Sequence, residues 1–267
     1  MAAEIMWRPS PQQIEDAHLT KFKTKLEKTS GRRFEDFAAL HDYSIHQPEH
    51  FWSELWDYCG VIAEIKGTRI LVDGGKMPGA KFFPDARLNF AENLLVKDSE
   101  EPALIFRGED RVEKIWSWKD LRNLVSRLAA SFRNMGIEPG DRVAAVMPNM
   151  PETIAFMLAA ASIGAVWSSC SPDFGEQGIV DRFGQISPKI LIACDGYYYN
   201  GKTFDIAEKI KGVSARIPSL EKVVIVPYAG DLEKAVAGID KAVSLDDLIR
   251  EEEPQAIQFE QLPFNHP

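Results

Sequence analysis

Twenty consecutive residues, Thr153 to Pro172, carry no charged side chain. A run of that length approaches what a bilayer-spanning helix needs, so any fold for this chain must bury it in lipid or in protein. Its internal pattern favours protein. Gly164 interrupts the run: Pro151–Ile163 before it has helical spacing, and Ala165–Ser169 after it reads as a short strand. A helix and a strand that are both apolar throughout belong at the centre of a layered α/β domain.

The remaining composition agrees. With 267 residues, 45% hydrophobic and 27% charged, the chain is long enough for one large domain or two modest ones. Acidic residues outnumber basic ones by 40 to 31, a net charge of −9, which weighs against nucleic-acid or anionic-membrane partners. Three cysteines, Cys59, Cys170 and Cys194, show no metal-ligand spacing, and no metal site is expected. So sparse and odd a set suits small buried hydrophobes in a reducing compartment. Met1–Pro9 lacks an apolar leader core, so a cytosolic location is expected.

Two styles of sequence follow one another. The first hundred residues are helical and aromatic in character, with Trp7, Trp52, Trp56, Phe34, Phe37 and Phe51, and helices are expected near 12–28, 34–41 and 48–58. Residues 74–95 read as an irregular arm, and Lys97–Pro102 as a polar boundary. Beyond it, Ala103–Arg107 and Val112–Trp116 form an expected strand pair. Ser117 and Asp120 cap a helix that carries Leu121, Leu124, Val125, Leu128 and Phe132 at helical spacing. Strands are expected at Arg142–Met147, Ala165–Ser169, Lys189–Cys194 and Lys222–Val226, with helices over 176–186 and 203–213. Asn149 and Glu152 are placed to cap the helix beginning at Pro151. The alternation predicts a mostly parallel sheet with helices on both faces. Glu251–Pro254 reads as a solvated linker.

Gly196–Thr203 fits the phosphate-loop pattern G-x-x-x-x-G-K-[ST], in which backbone N–H groups and a lysine meet phosphate and a hydroxyl meets Mg²⁺. Three consecutive tyrosines are bulky for such a wrap. The loop also follows several α/β units, and no strand ends in an obvious Mg²⁺-holding aspartate. A phosphate loop using Lys202 and Thr203 therefore stands as one reading, and a looser phosphate contact by Tyr199, Asn200, Gly201 and Lys202 as another. His46–His50 spells H-x-x-E-H, but Pro48 should start a helix and leave His46 outside it. Asp173-Phe-Gly175 lacks the companion kinase motifs, and Ser168–Pro172 reads better as a strand-end loop, the place where open parallel sheets meet ligands. Cys170 and Cys194 read as structural thiols, and Arg182 as a surface ion pair.

Four stretches resemble the acyl-adenylate-forming (AMP-binding) ligases: Arg87–Leu95, Gly140–Val143 through Asn149, Ala159–Ser168, and Ser171–Gly175 with Asp181–Phe183. Trp167–Gly175, Tyr199–Lys202 and Phe259–Pro267 are similar to the acetoacetate–CoA ligase branch of that superfamily. The resemblance implies a partial large domain with a mostly parallel sheet and flanking helices, preceded by a helical segment. Residues 1–98 would be the N-terminal segment of acetyl-CoA-synthetase type, and 99–267 the first part of the AMP-binding domain.

It also implies an activity: acetoacetate and Mg²⁺-bound ATP would give acetoacetyl-AMP and diphosphate, and CoA would then displace AMP, in ketone-body use for lipid synthesis. CoA-facing positions would be Tyr199, Asn200, Gly201 and Lys202, with Arg182, Ser171, Pro172, Asp173 and Phe174. Related acetyl-CoA synthetases place arginines where this chain has Tyr199 and Lys202; Lys202 keeps the charge without the bidentate fork, and Tyr199 supplies none. The family's ATP loop, adenine-binding segments and C-terminal domain would follow Pro267. The resemblance thus implies a fragment, truncated isoform or partial gene model that is inactive alone and holds no catalytic residue. A P-loop enzyme or a non-catalytic binding module are the alternatives; an adenylating ligase makes AMP, and a P-loop enzyme ADP or GDP.

Overall fold

The computed structural model describes residues 5–267, and its first helical stretch breaks where a single helix over 12–28 is expected. α1 (Pro11–Asp16) is closed by a capping box in which Ser10 and Gln13 exchange hydrogen bonds of 2.7 and 3.2 Å. Ala17 is then extended (φ −61°, ψ 135°), and α2 (His18–Ser30) starts afresh. α1 buries no residue, so no packing keeps it collinear with α2. α3 (Phe37–His46) begins later than the expected 34–41 because the Asp36 carboxylate accepts the Ala39 N–H at 2.8 Å and sets the first turn. α4 (Pro48–Cys59) starts at its proline, as expected.

His46 therefore ends one helix and His50 lies in the next, where its ring meets the Tyr43 hydroxyl at 2.9 Å. The two histidines share no helical face. Phe22, Leu26, Phe34, Leu40 and Tyr43 form the core here, with Phe22 edge-on to Phe51 at 5.5 Å. Cys59, expected to be buried, is exposed at the C-terminal end of α4. The arm over 74–95 is less irregular than expected. β1 (Leu71–Val72) pairs antiparallel with β2 (Lys81–Phe82), and β3 (Arg87–Leu88) and α5 (Phe90–Leu94) follow. Residues up to Arg87, with Pro263–Asn265, form one compact unit; Leu88–Leu262, with His266–Pro267, form the other.

In the larger unit β4 (Pro102–Gly108) and β5 (Val112–Ser117) make an antiparallel hairpin. α6 (Trp118–Asn134) follows with the expected Ser117–Asp120 capping box. Then come β6 (Arg142–Val146), α7 (Pro151–Ser162), β7 (Val166–Cys170), α8 (Glu176–Gly184) and β8 (Ile190–Cys194). Next are β9 (Gly196–Tyr199), β10 (Lys202–Asp205), α9 (Ala207–Ala215), β11 (Lys222–Val226), α10 (Leu232–Gly238), β12 (Ala242–Ser244) and α11 (Leu245–Leu248). The uncharged run becomes the buried α7 and the edge strand β7, which is half-buried rather than buried as expected because it has a neighbour on one side only, and no described helix is long and apolar enough to cross a membrane.

α7 is not capped by Asn149: Met150 is the N-cap and makes no side-chain cap bond. Glu152 instead ion-pairs with Lys114, and the Thr153 hydroxyl donates to the Pro148 carbonyl at 2.7 Å. Asn89, 1% exposed, donates its side-chain amide to the carbonyls of Ala161 (2.9 Å), Ser162 (3.2 Å) and Glu260 (2.9 Å). Residues 248–258 are likewise held by α6. Arg127 donates to the Ile249 and Glu252 carbonyls and Arg133 to Gln258, each at 2.7 Å.

The five-stranded sheet is parallel throughout, in the order β12-β11-β8-β6-β7. Counted by appearance, its strands lie 2-1-3-4-5. β8 is buried at every residue, and β6 and β11 at every residue but the first, as their continuous apolar wording requires. Phe132 of α6 and Phe156 of α7 meet at 6.2 Å against this sheet.

Candidate functional site

A 2-1-3-4-5 order reverses direction between its first and third strands, here β6 and β8. Ligands of open parallel sheets gather outside the C-terminal ends of the strands at such a point. Four segments leave that edge: Met147–Met150 after β6, Ser171–Gly175 after β7, Asp195 with the β9–β10 hairpin after β8, and Pro227–Asp231 after β11. Asp195, 3% exposed, joins two of them. Its Oδ1 accepts the N–H groups of Tyr228 and Ala229, both at 2.9 Å. Gly196, next in the chain, lies where backbones crowd: a Cβ there would stand 2.7 Å from the Phe204 carbonyl oxygen and 3.1 Å from the Gly230 nitrogen.

The phosphate-loop pattern does not fold as a phosphate loop. Gly196–Asp205 is an antiparallel hairpin in which Tyr199 pairs with Lys202, Tyr198 with Thr203 and Tyr197 with Phe204. The helix expected from 203 starts only at Ala207, so neither Lys202 nor Thr203 stands at a helix N-terminus. The dipeptide Asn200-Gly201 dictates this outcome. Both residues have positive φ (49° and 73°), the type I′ turn that Asn-Gly favours between two strands. That signal was present in the sequence and outweighs the phosphate-loop spacing.

Strand alternation divides the hairpin into two faces. Tyr198 and Thr203 lie on one. Tyr198 meets Tyr228 edge-on at 5.2 Å, and the Arg111 guanidinium lies 5.1 Å over its ring. Tyr199 and Lys202, both exposed, belong to the other, with Tyr197 stacked on Phe204 at 5.1 Å and 16°. A lysine beside exposed aromatic rings offers a cation to phosphate and flat surfaces to a heteroaromatic base.

At the hairpin base, Ser171, Asp173 and Phe174 are exposed and Pro172 is buried. Lys209 of α9 donates to the Pro172 carbonyl at 2.8 Å, and the Arg182 guanidinium lies 5.2 Å over the Phe174 ring rather than in an ion pair. The Tyr197 hydroxyl is raised above its ordinary pKa by burial and by the Asp173 charge, which puts this loop beside the hairpin base. The structure thus gathers Ser171–Phe174, Arg182 and Tyr197 at the base. Tyr199–Lys202 lie at the tip, roughly 7 Å beyond Tyr197 at strand rise. Arg111, Glu109, Lys209 and Asp195 join the site with no motif to announce them.

Burial pushes the Cys170 thiol up to about 11 and the Cys194 thiol up to about 12, so neither serves as a nucleophile. Among the described residues no group of three or more His, Cys, Asp or Glu side chains is arranged to hold a metal ion.

Residues 91–260 match the family described as AMP-binding enzyme. The chain belongs to that family. Residues 37–94 match a second family, the acetyl-coenzyme A synthetase N-terminus. Along its full length the chain is 51% identical to acetoacetyl-coenzyme A synthetase of Rhizobium meliloti (strain 1021) and 38% identical to acetoacetyl-CoA synthetase of Xenopus tropicalis. It spans 40% and 41% of those relatives' lengths. The solved acetoacetyl-CoA synthetase from Streptomyces lividans superposes with a TM-score of 0.89 at 34% identity, over 99% of this chain and 40% of that one. The α/β fold with its parallel sheet and flanking helices is therefore that of the first part of an AMP-binding domain, and the family acts on small-molecule substrates.

Proposed function

We propose that this chain is the N-terminal portion of a cytosolic, AMP-forming acetoacetate–CoA ligase and that it supplies a wall of the CoA site. The observation that carries this reading is the hairpin. It places exposed Lys202 and Tyr199 at the ligand edge of the sheet, in a chain 51% identical end to end to a protein named for that activity. Residues 1–98 and 99–267 would be its N-terminal segment and the first part of its AMP-binding domain. The net charge of −9 suits small-molecule substrates rather than nucleic acid or an anionic membrane.

The reaction runs in two displacements. A carboxylate oxygen of acetoacetate attacks the α-phosphorus of Mg²⁺-bound ATP, and the bond to diphosphate breaks. The CoA sulfur then attacks the acyl carbon of acetoacetyl-AMP, the thiol proton passes to solvent, and AMP leaves as the acyl–oxygen bond breaks. This chain's residues orient the second nucleophile, which lowers the barrier by positioning. Lys202 and Asn200, set by the turn that Gly201 makes, meet the CoA phosphates. Tyr199 offers its ring to the base, and Ser171, Pro172, Asp173, Phe174 and Arg182 line the approach. No residue of the chain is assigned a covalent or proton-transfer role, and the chain alone is expected to release no AMP.

The test uses the full-length ligase carrying this segment. Losing one charge-assisted phosphate contact costs about 1.5 kcal/mol, so Lys202→Ala should raise KM for CoA roughly tenfold. KM for ATP should stay within about twofold. Equal KM values for CoA in variant and parent remove the assignment, and ADP in place of AMP removes the reaction.

A further inference from the structure

The hairpin that carries Lys202 does not hold its own tip. In a two-residue turn the N–H and C=O of the second turn residue ordinarily face water, both unpaired within the hairpin. Here both polar groups of Gly201 are taken by the turn between β4 and β5. The Glu109 carboxylate accepts the Gly201 N–H at 3.0 Å, and the Arg111 guanidinium donates to the Gly201 carbonyl at 2.7 Å. Arg111 also donates to the Thr203 hydroxyl at 3.2 Å and lies over the Tyr198 ring. All of these contacts are on the Tyr198–Thr203 face or at the turn itself. Tyr199 and Lys202, one residue on in each strand, belong to the opposite face.

We infer that Arg111, with Glu109, is the positioning clamp of the CoA-binding hairpin: it fixes the tip from behind so that Lys202 meets phosphate without first being ordered. The inference rests on the CoA reading of Lys202 given above and adds residues about 90 positions away in sequence, on a hairpin outside the main sheet. Three features support a clamp over an incidental surface contact. Arg111 spends two donors and its flat face on one hairpin. Glu109, two residues earlier, takes the N–H of the same residue whose carbonyl Arg111 holds. Two of the three charge-assisted bonds lie on backbone atoms, so they fix a conformation rather than a side chain. An ordered tip spares CoA binding the entropy of ordering it.

Two measurements test the inference, hydrogen exchange on the chain as it stands and CoA titration on the full-length ligase that carries it. Hydrogen exchange reads the tip directly: in Arg111→Ala the amides of the 196–205 hairpin should exchange about tenfold faster, with those of β6 and β8 unchanged. Calorimetric titration with CoA reads the consequence. Arg111→Ala should bind about tenfold more weakly, Arg111→Lys should recover part of the loss, and Arg111→Ala with Lys202→Ala should be little weaker than Lys202→Ala alone.

Unchanged exchange at the tip overturns the clamp. Faster exchange with unchanged CoA affinity overturns its role in binding. If Arg111→Ala weakens CoA binding and Lys202→Ala does not, the Lys202 assignment falls and with it the route by which the clamp acts. A full-length parent that binds no CoA overturns both readings, and Glu109→Gln, which keeps the size of the acceptor, guards against a variant that simply fails to fold.

Discussion

Gly196→Ala is a substitution whose outcome the site's geometry fixes tightly. The added methyl would stand 2.7 Å from the Phe204 carbonyl oxygen, about 0.7 Å inside an ordinary contact, and 3.1 Å from the Gly230 nitrogen. Both atoms are backbone, and both are tied. Phe204 is held in register by Tyr197, and the segment leading to Gly230 hangs from the buried Asp195 carboxylate by two hydrogen bonds. No flexible side chain can swing aside, so the cost should lie near the top of the range for overpacking, about 3 kcal/mol. For a unit of this size that lowers Tm by about 6–12 °C.

Thermal denaturation followed by circular dichroism measures it, with Gly178→Ala as the internal control. A Cβ at Gly178 meets only the Phe174 ring at 3.8 Å, and alanine is the better helix former there by about 0.5–1 kcal/mol, so that variant should melt slightly higher. A Gly196→Ala protein that melts within about 1 °C of the parent would refute the argument that the hairpin base is rigid.

Three further outcomes follow from features away from the tip. Lys114→Ala leaves the Glu152 carboxylate buried without its cation, one of its oxygens already lacking a partner, and should cost about 3 kcal/mol in urea unfolding. Lys114→Met combined with Glu152→Leu should recover most of that, and a double variant as unstable as the single would refute it. Asp120 is held below the usual carboxylate range by hydrogen bonds from the Ser117 N–H and hydroxyl. A depressed folded pKa gives stability that is present above the unfolded pKa and is lost as pH falls through the folded one. Asp120→Asn should therefore flatten the stability profile below about pH 4 and leave its shape above pH 6 unchanged. With a thiol reagent at pH 7, exposed Cys59 should react first, and Cys170 and Cys194 only after unfolding; fast labelling of two or more thiols per native chain contradicts this.

Much of the fold was legible where burial writes itself into composition. The helical half of the uncharged run, the all-apolar Ile190–Cys194 and Val223–Val226, and the Ser117–Asp120 capping box each have one physical reading, and each took it, whereas the strand half of that run, β7, became a half-buried edge. Local signals misled where two of them competed. Glu152 was suited to cap α7, but its carboxylate is buried and the half-buried Lys114 claimed it. Gly196–Thr203 had the spacing of a phosphate loop, yet Asn200-Gly201 commits the chain to a hairpin before any helix can begin. Ala17 breaks a helix with no breaker residue, because α1 buries nothing that would hold it straight. Arg111, Glu109 and Lys209 act on backbone atoms 37 to 92 residues away, and no spacing rule reaches that far.

Asn89 has a bearing on time rather than on energy. One of its bonds closes a span of 171 residues, and the other two close spans of 72 and 73. Loop closure on that scale is entropically costly, and the acceptors are in place only once α7 is formed and the 249–261 segment has returned along α6. These bonds belong to the last step of folding and the first of unfolding. Removing this amide, as in Asn89→Ala, is therefore expected to speed unfolding more than it slows folding, which stopped-flow unfolding and refolding rates measure.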